Sequence, residues 1–146
     1  MQKYMTYCGL YCGACSSMIL HDQSQGETNL PTHDIDPEET ACPGCCSPNL
    51  ENCEFVVCNL AHGTESCAFC PEFPCKMISN FQTDEWAHHI VVLDNLKRIK
   101  KIGVEAWLAE QKEYWSCKQC GNRTHWYQTQ CPGCGNTWEP LFPNTV

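Results

Sequence analysis

Four cysteines near the C-terminus carry the clearest chemistry in the chain: Cys117 and Cys120, followed by Gly121, then Cys131 and Cys134, followed by Gly135. A C-x2-C-G turn points two thiolates at one ion, and its glycine supplies the positive φ that lets backbone amides face sulfur. Two such turns, ten residues apart, provide the ligands of one tetrahedral Zn2+. This spacing resembles a zinc ribbon, with the β-rich residues 124–129 forming a hairpin between the turns. A segment this small cannot fold on its own apolar surface. Metal would supply most of its folding free energy, about 10–16 kcal/mol in comparable sites.

The other cysteines are harder to apportion. Cys8, Cys12 and Cys15 open the chain, and eight of the fifteen cysteines follow between residues 42 and 75: Cys42, Cys45, Cys46, Cys53, Cys58, Cys67, Cys70 and Cys75. Cys8-x3-Cys12-x2-Cys15 matches the cluster spacing of radical S-adenosylmethionine enzymes. Those enzymes need most of a β/α barrel, and this chain has no repeated strand–helix units. One economical grouping joins Cys42 and Cys45 with Cys67 and Cys70, as treble-clef sites do. Cys8, Cys12, Cys15 and Cys75 would form a second site. Cys53 and Cys58 would be left over or complete a third, with His62 available as Cys58-x3-His62. Cys46 sits next to Cys45, and two adjacent cysteines do not easily face one tetrahedral ion. His88 and His89 diverge by about 100° on a helix, a poor chelating pair, so one is expected exposed and one packed.

Four motifs occur in an order that identifies a family. Tyr7-Cys-Gly-Leu-Tyr-Cys-Gly-Ala-Cys15, Cys42-Pro-Gly-Cys45, Cys53-x4-Cys58-Asn-Leu-Ala-His-Gly63 and Cys67-x2-Cys70-Pro-Glu-Phe-Pro-Cys75 resemble the bacterial and archaeal family known as domain of unknown function 3795. The resemblance covers about residues 4–82. It implies metal binding, by zinc, in a protein without an assigned activity, and makes the rest of the chain an extension. The acidic stretch 21–40 and Cys46 depart from the family pattern.

Bulk properties narrow the function. The N-terminal residues show no apolar signal segment, so the thiols are expected reduced, in the cytoplasm, where C-x2-C pairs favour metal over disulfides. No window approaches a membrane span. Of the net charge of -8, residues 1–82 carry all of it, with two lysines against ten acids; residues 83–146 balance seven against seven. Nucleic acid would be repelled by the acidic half, because phosphate contacts dominate non-specific affinity.

The elements that must position the thiols are short. Ser16 or Ser17 is expected to cap a helix carrying Met18, Ile19 and Leu20; residues 21–40 read as a long loop. A helix over 54–61 closes at Gly63, and Cys75 opens another to about Phe81. Thr83 would cap a longer helix with Asp84 and Glu85 in its first turn and Trp86, Ile90, Leu93, Leu96 and Ile99 on its buried face. Lys97, Arg98, Lys100 and Lys101 match its C-terminal dipole before Gly103. Val104, Trp107, Leu108 and Gln111 mark a second helix to about Glu113.

The expected architecture is a small, metal-stapled, mainly α protein with a short β-hairpin: a cysteine-rich zinc domain at 1–82, a helical connector at 83–113 and a zinc ribbon at 114–146. Three or more zinc ions are expected. The residues 1–82 hold only scattered aliphatics, among them Leu30 and Leu50, too few to offset the entropy of ordering them. Closed four-thiolate sites leave no open position for substrate, and no catalytic constellation is recognisable. The expected function is structural zinc binding in an interaction or adaptor module, not an enzyme, with an unknown protein partner. One alternative is an iron–sulfur redox protein, because thiolate-only sets also hold clusters. Another is a nucleic-acid-binding ribbon using Lys118, Arg123, His125, Trp126 and Tyr127.

Overall fold

The computed structural model describes residues 1–27, 33–45 and 52–142; Leu30, Cys46 and Leu50 lie outside them. Among the described residues five α-helices follow in order: α1 Ser16–Ser24, α2 Glu54–His62, α3 Lys76–Gln82, α4 Val92–Ile102 and α5 Val104–Tyr114. Short 3-10 turns span Cys12–Ala14, Cys67–Phe69 and Ala87–Val91. No helix among the described residues is long and apolar enough to cross a membrane.

Local chemistry sets most helix ends. Glu54 sits in the first turn of α2, and Gly63 ends it at φ 66, the left-handed conformation that glycine adopts without a Cβ penalty. In α4, Asp94 occupies the first turn and Lys100 and Lys101 the last, matching the helix dipole. Gly103, at φ 87, separates α4 from α5.

Several expected features are different in the structure. Ser16 and Ser17 do not cap α1; Cys15 holds the N-cap position without a side-chain bond. Both serine hydroxyls donate to Glu39 Oε1, Ser17 at 2.7 Å, because an ionised carboxylate is a stronger acceptor partner. Residues 21–24 belong to α1 rather than to a loop, whereas the described residues 33–40 contain no helix.

Thr83 ends α3 instead of starting a helix. Asp84 closes its own turn, accepting the Trp86 amide at 2.9 Å and the His89 ring Nδ1–H at 2.8 Å. The chain then runs as a 3-10 segment to Val91 and becomes α-helical at Val92. The change from three to 3.6 residues per turn rotates the buried face. Trp86 and Ile90 are therefore each 54% exposed, while Val92, Leu96 and Ile99 are fully buried. Neither histidine of the pair is free on the surface: His89 stacks on Phe81 and His88 on Trp126.

The hairpin does not form. Among the described residues there is no strand, only isolated antiparallel bridges between Ser116 and Arg123 and between Gln130 and Thr137. Each bridge closes one C-x2-C-G turn on itself. The intervening backbone is already paired elsewhere: the Thr124 amide donates to Trp115 O at 2.9 Å and the Trp126 amide to Ala14 O at 3.0 Å.

One apolar cluster draws on the whole chain. Met5, Cys8 and Tyr11 meet Phe55, Ile78, Leu96, Trp107, Trp115 and Phe142. Trp107 is fully buried and meets Tyr11 edge-on, with ring centroids 6.2 Å apart. Gly9, at φ 91, is pressed so closely to α4 that a Cβ there would lie 2.8 Å from Leu96 Cγ. Its carbonyl accepts the Asn95 side-chain amide at 2.8 Å. The cysteine-rich beginning of the chain is thus roofed by α4 and α5.

Candidate metal centres

Cys117, Cys120, Cys131 and Cys134 bring their sulfurs within 4.8 Å of one another. Cys117 and Cys134 are 3.6 Å apart, and Cys120 and Cys131 3.4 Å. Four sulfurs each 2.3 Å from a tetrahedral ion would stand about 3.8 Å apart, so one Zn2+ fits the set.

The two turns repeat the same backbone pattern. The Cys117 amide donates to Asn122 O and the Cys131 amide to Asn136 O, both at 2.8 Å. Gly121 and Gly135 share φ 78. The amides of Cys120 and Gln119 pull the Cys117 thiol down to about 6. At Cys131 burial pushes the thiol up, but the amides of Cys134 and Gly133 outweigh it. The Asn122 amide pulls on Cys120, yet the three neighbouring thiols push it up to about 12. Four thiols so close cannot all ionise without a cation between them.

The N-terminal cysteines form two neighbourhoods. Ser17 O accepts the Cys42 amide at 3.0 Å, docking the Cys42–Cys45 turn on the start of α1 beside Cys12 and Cys15. Burial drives Cys12 well above the ordinary thiol value, and the charges of Cys15, Cys45, Cys8 and Cys42 add to the shift. Cys42 and Cys45 are thus neighbours of Cys12. Gly44, at φ 86, lies against Met18, and its amide donates to Cys42 Sγ at 3.4 Å. This repeats the amide-to-sulfur pattern of the C-terminal turns.

In the second neighbourhood, Cys58 on α2, the Cys67–Phe69 turn, Cys70 and the α3 N-cap Cys75 surround a cavity of about 30 Å3. A volume of that order holds one water or one ion. Cys8 acts electrostatically on Cys67, as Cys75 and Cys58 do. The Asn59 side-chain amide donates to Cys67 Sγ at 3.2 Å.

His62 and Glu72 edge this neighbourhood, and the ligand atoms of His62, Cys70 and Glu72 lie within 4.8 Å of one another. His62 Nδ1 is 2.8 Å from Cys58 O. A carbonyl only accepts, so Nδ1 carries the proton and Nε2 faces Glu72 Oε2 at 3.4 Å. Glu72 and Asn59 were not legible as site residues: one is an ordinary acid between two prolines, the other a polar helix residue. Cys53, the N-cap of α2, acts electrostatically on Cys8, whose thiol is raised chiefly by burial. Cys8 and Cys53 thus stand between the two sets.

The residues considered for nucleic-acid contact are engaged within the protein. Lys118 Nζ donates to Glu113 O and Tyr114 O at the end of α5. Arg123 donates to Gly13 O and pairs with Asp22. His125 Nε2 lies 3.3 Å from Asp34 O, and the Trp126 ring is 4.0 Å from that of His88. The Tyr127 hydroxyl is 2.7 Å from His88 Nδ1.

Fold and thiol neighbourhoods define a cysteine-rich, mainly helical protein with a cluster fitted to hold a metal ion. Residues 4–80 match the family model described as protein of unknown function (DUF3795). The match covers more than half of the chain, which belongs to that family. No curated protein and no solved structure matches it.

Proposed function

We propose that the chain is a zinc-binding interaction or adaptor module whose cysteine sites are structural. The observation that carries this reading is the Cys117, Cys120, Cys131 and Cys134 set. Its sulfur spacings suit a single tetrahedral ion, and all four positions are taken by protein. A site so closed stabilises a fold and leaves no place for a substrate. In this reading residues 114–142 are a zinc ribbon reduced to its two turns.

In this reading two further ions would be held in the N-terminal half, one near Cys12, Cys15, Cys42 and Cys45 and one near Cys58, Cys67, Cys70 and Cys75. The engagement of Lys118, Arg123 and Trp126 within the protein speaks against the nucleic-acid alternative. Four-iron clusters hold their cysteines farther apart than a single ion does, which speaks against a cluster at the C-terminal set.

Native mass spectrometry with elemental analysis of anaerobically purified protein tests the reading. Three zinc ions per chain is the expected result. Stoichiometric iron with sulfide would transfer the case to redox chemistry, and one zinc with free N-terminal thiols would refute the multi-site scaffold.

A further inference from the structure

A cleft of about 570 Å3 lies where the beginning of the chain meets its C-terminal segment. Its volume is within the range of about 300–1,000 Å3 typical of small-ligand sites. Trp86, Trp126 and Tyr127 supply aromatic surface, and Asp36, Glu38 and Glu39 supply carboxylates. The aromatic residues come from the part of the chain beyond the family match, the acids from within it. Trp86 is 54% exposed and Tyr127 42%, so both rings present surface to the opening.

The charge of this lining has one sign. No lysine or arginine contributes to it. Three imidazoles also line it: His88 and His125 on the Trp126 side, and His89, whose Nδ1 lies 2.8 Å from Asp84 Oδ1. Burial pushes His88 down to about 4 and also lowers His125. Glu39 Oε1 accepts the hydroxyls of Ser16 and Ser17. An indole face attracts a cation through its quadrupole, tryptophan most strongly. Carboxylates facing such rings add Coulomb attraction for the same charge.

We propose that this cleft receives the alkylammonium group of a lysine side chain, presented by an extended basic segment of a protein partner. The lysine stem is four carbons long and ends in a compact charge, which suits a cleft lined by both aromatic rings and carboxylates. The acidic first half of the chain would steer such a segment towards the cleft. The proposal deepens the adaptor reading, on which it rests, by naming the chemistry of the partner.

The test uses the zinc-loaded full chain and a fluorescently labelled lysine-rich peptide, followed by anisotropy. Saturable binding is expected, at least about tenfold tighter than to the same peptide with serine in place of lysine. Trp86→Ala should weaken it at least about fivefold, and Asp36→Asn with Glu38→Gln by a similar factor. Lys118→Ala, outside the cleft, should leave it unchanged. Trp86, Asp36 and Glu38 are exposed, and native mass spectrometry of each variant verifies that zinc is retained. Equal affinity for the two peptides, or binding indifferent to Trp86→Ala, would overturn the proposal. So would butylammonium alone binding as tightly as the peptide. Full zinc content without lysine binding overturns the cleft alone; lysine binding with fewer than three zinc ions supports the cleft and overturns the scaffold.

Discussion

Arg123 places a guanidinium nitrogen 2.8 Å from Asp22 Oδ2, tying the C-terminal cysteine segment to α1. Asp22 is 1% exposed and also accepts the Tyr4 hydroxyl at 2.6 Å, with Lys3 Nζ 3.0 Å from its other oxygen. Burial would raise its pKa, but Tyr4, Arg123 and Lys3 together hold it below the usual carboxylate range. Replacing Asp22 by alanine leaves a part-buried guanidinium without its counter-charge, a change that costs about 3–5 kcal/mol. Denaturant unfolding of zinc-loaded Asp22→Ala should show a loss of that order; a loss below about 1 kcal/mol would mean the pair is incidental.

Gly9→Ala should destabilise the protein by about 1–3 kcal/mol, the usual range for overpacking a core. The new methyl would meet Leu96 Cγ at 2.8 Å and hold a φ of 91. Gly26→Ala is the control: it shares a positive φ, 81, but nothing lies within 4 Å. A steric origin requires the first change to cost more than the second, as thermal melts of both would show.

His88 gives a pH dependence of definite sign. Its folded pKa, about 4, lies below the ordinary histidine value of about 6.5. Above that ordinary value both states are neutral and His88 contributes nothing. As pH falls from about 6.5 towards 4 the unfolded chain takes up a proton that the folded one refuses, so stability declines. The slope cannot exceed about 1.4 kcal/mol per pH unit, and partial solvent exposure reduces it. Denaturation midpoints of zinc-loaded protein at pH 7 and pH 5 should therefore differ less in His88→Phe than in the natural chain. An identical difference would remove His88 as the cause.

Cys70→Ser should lower the zinc content by one ion and leave the C-terminal site loaded. Native mass spectrometry reads the first effect. Tryptophan emission reads the second, since Trp115, Trp126 and Trp138 lie in or beside the C-terminal segment. A strong chelator, by contrast, should empty both halves and shift emission to the red. Emission unchanged after confirmed removal of C-terminal zinc would show that this segment folds without metal.

What could be read in advance was local. The stop at Gly63, the start of α3 at Cys75 and the two C-x2-C-G turns follow from residue types a few positions apart, and the structure has them. What escaped depends on distant partners. The buried Asp22 and Arg123 are separated by 101 positions, and nothing in the neighbourhood of either marks it as paired. The hairpin failed because Ala14 O takes the Trp126 amide, a contact no pattern within residues 124–129 could announce. Residues 84–91 misled for a subtler reason. Their apolar spacing suits an α-helix, but the Asp84–His89 contact holds a 3-10 path that turns Trp86 and Ile90 outward.

The hydrogen bond from Trp126 to Ala14 has a consequence for the chain as it is made. Translation proceeds from the N-terminus at about 5–20 residues per second. Cys8, Cys12 and Cys15 therefore leave the ribosome on the order of ten seconds before Trp107 and Trp126, which complete their enclosure. Throughout that interval the first thiols stand open to oxidants and to whatever metal arrives. An ion bound by these thiols at that stage would thus be captured before α4 and α5 exist to shelter it.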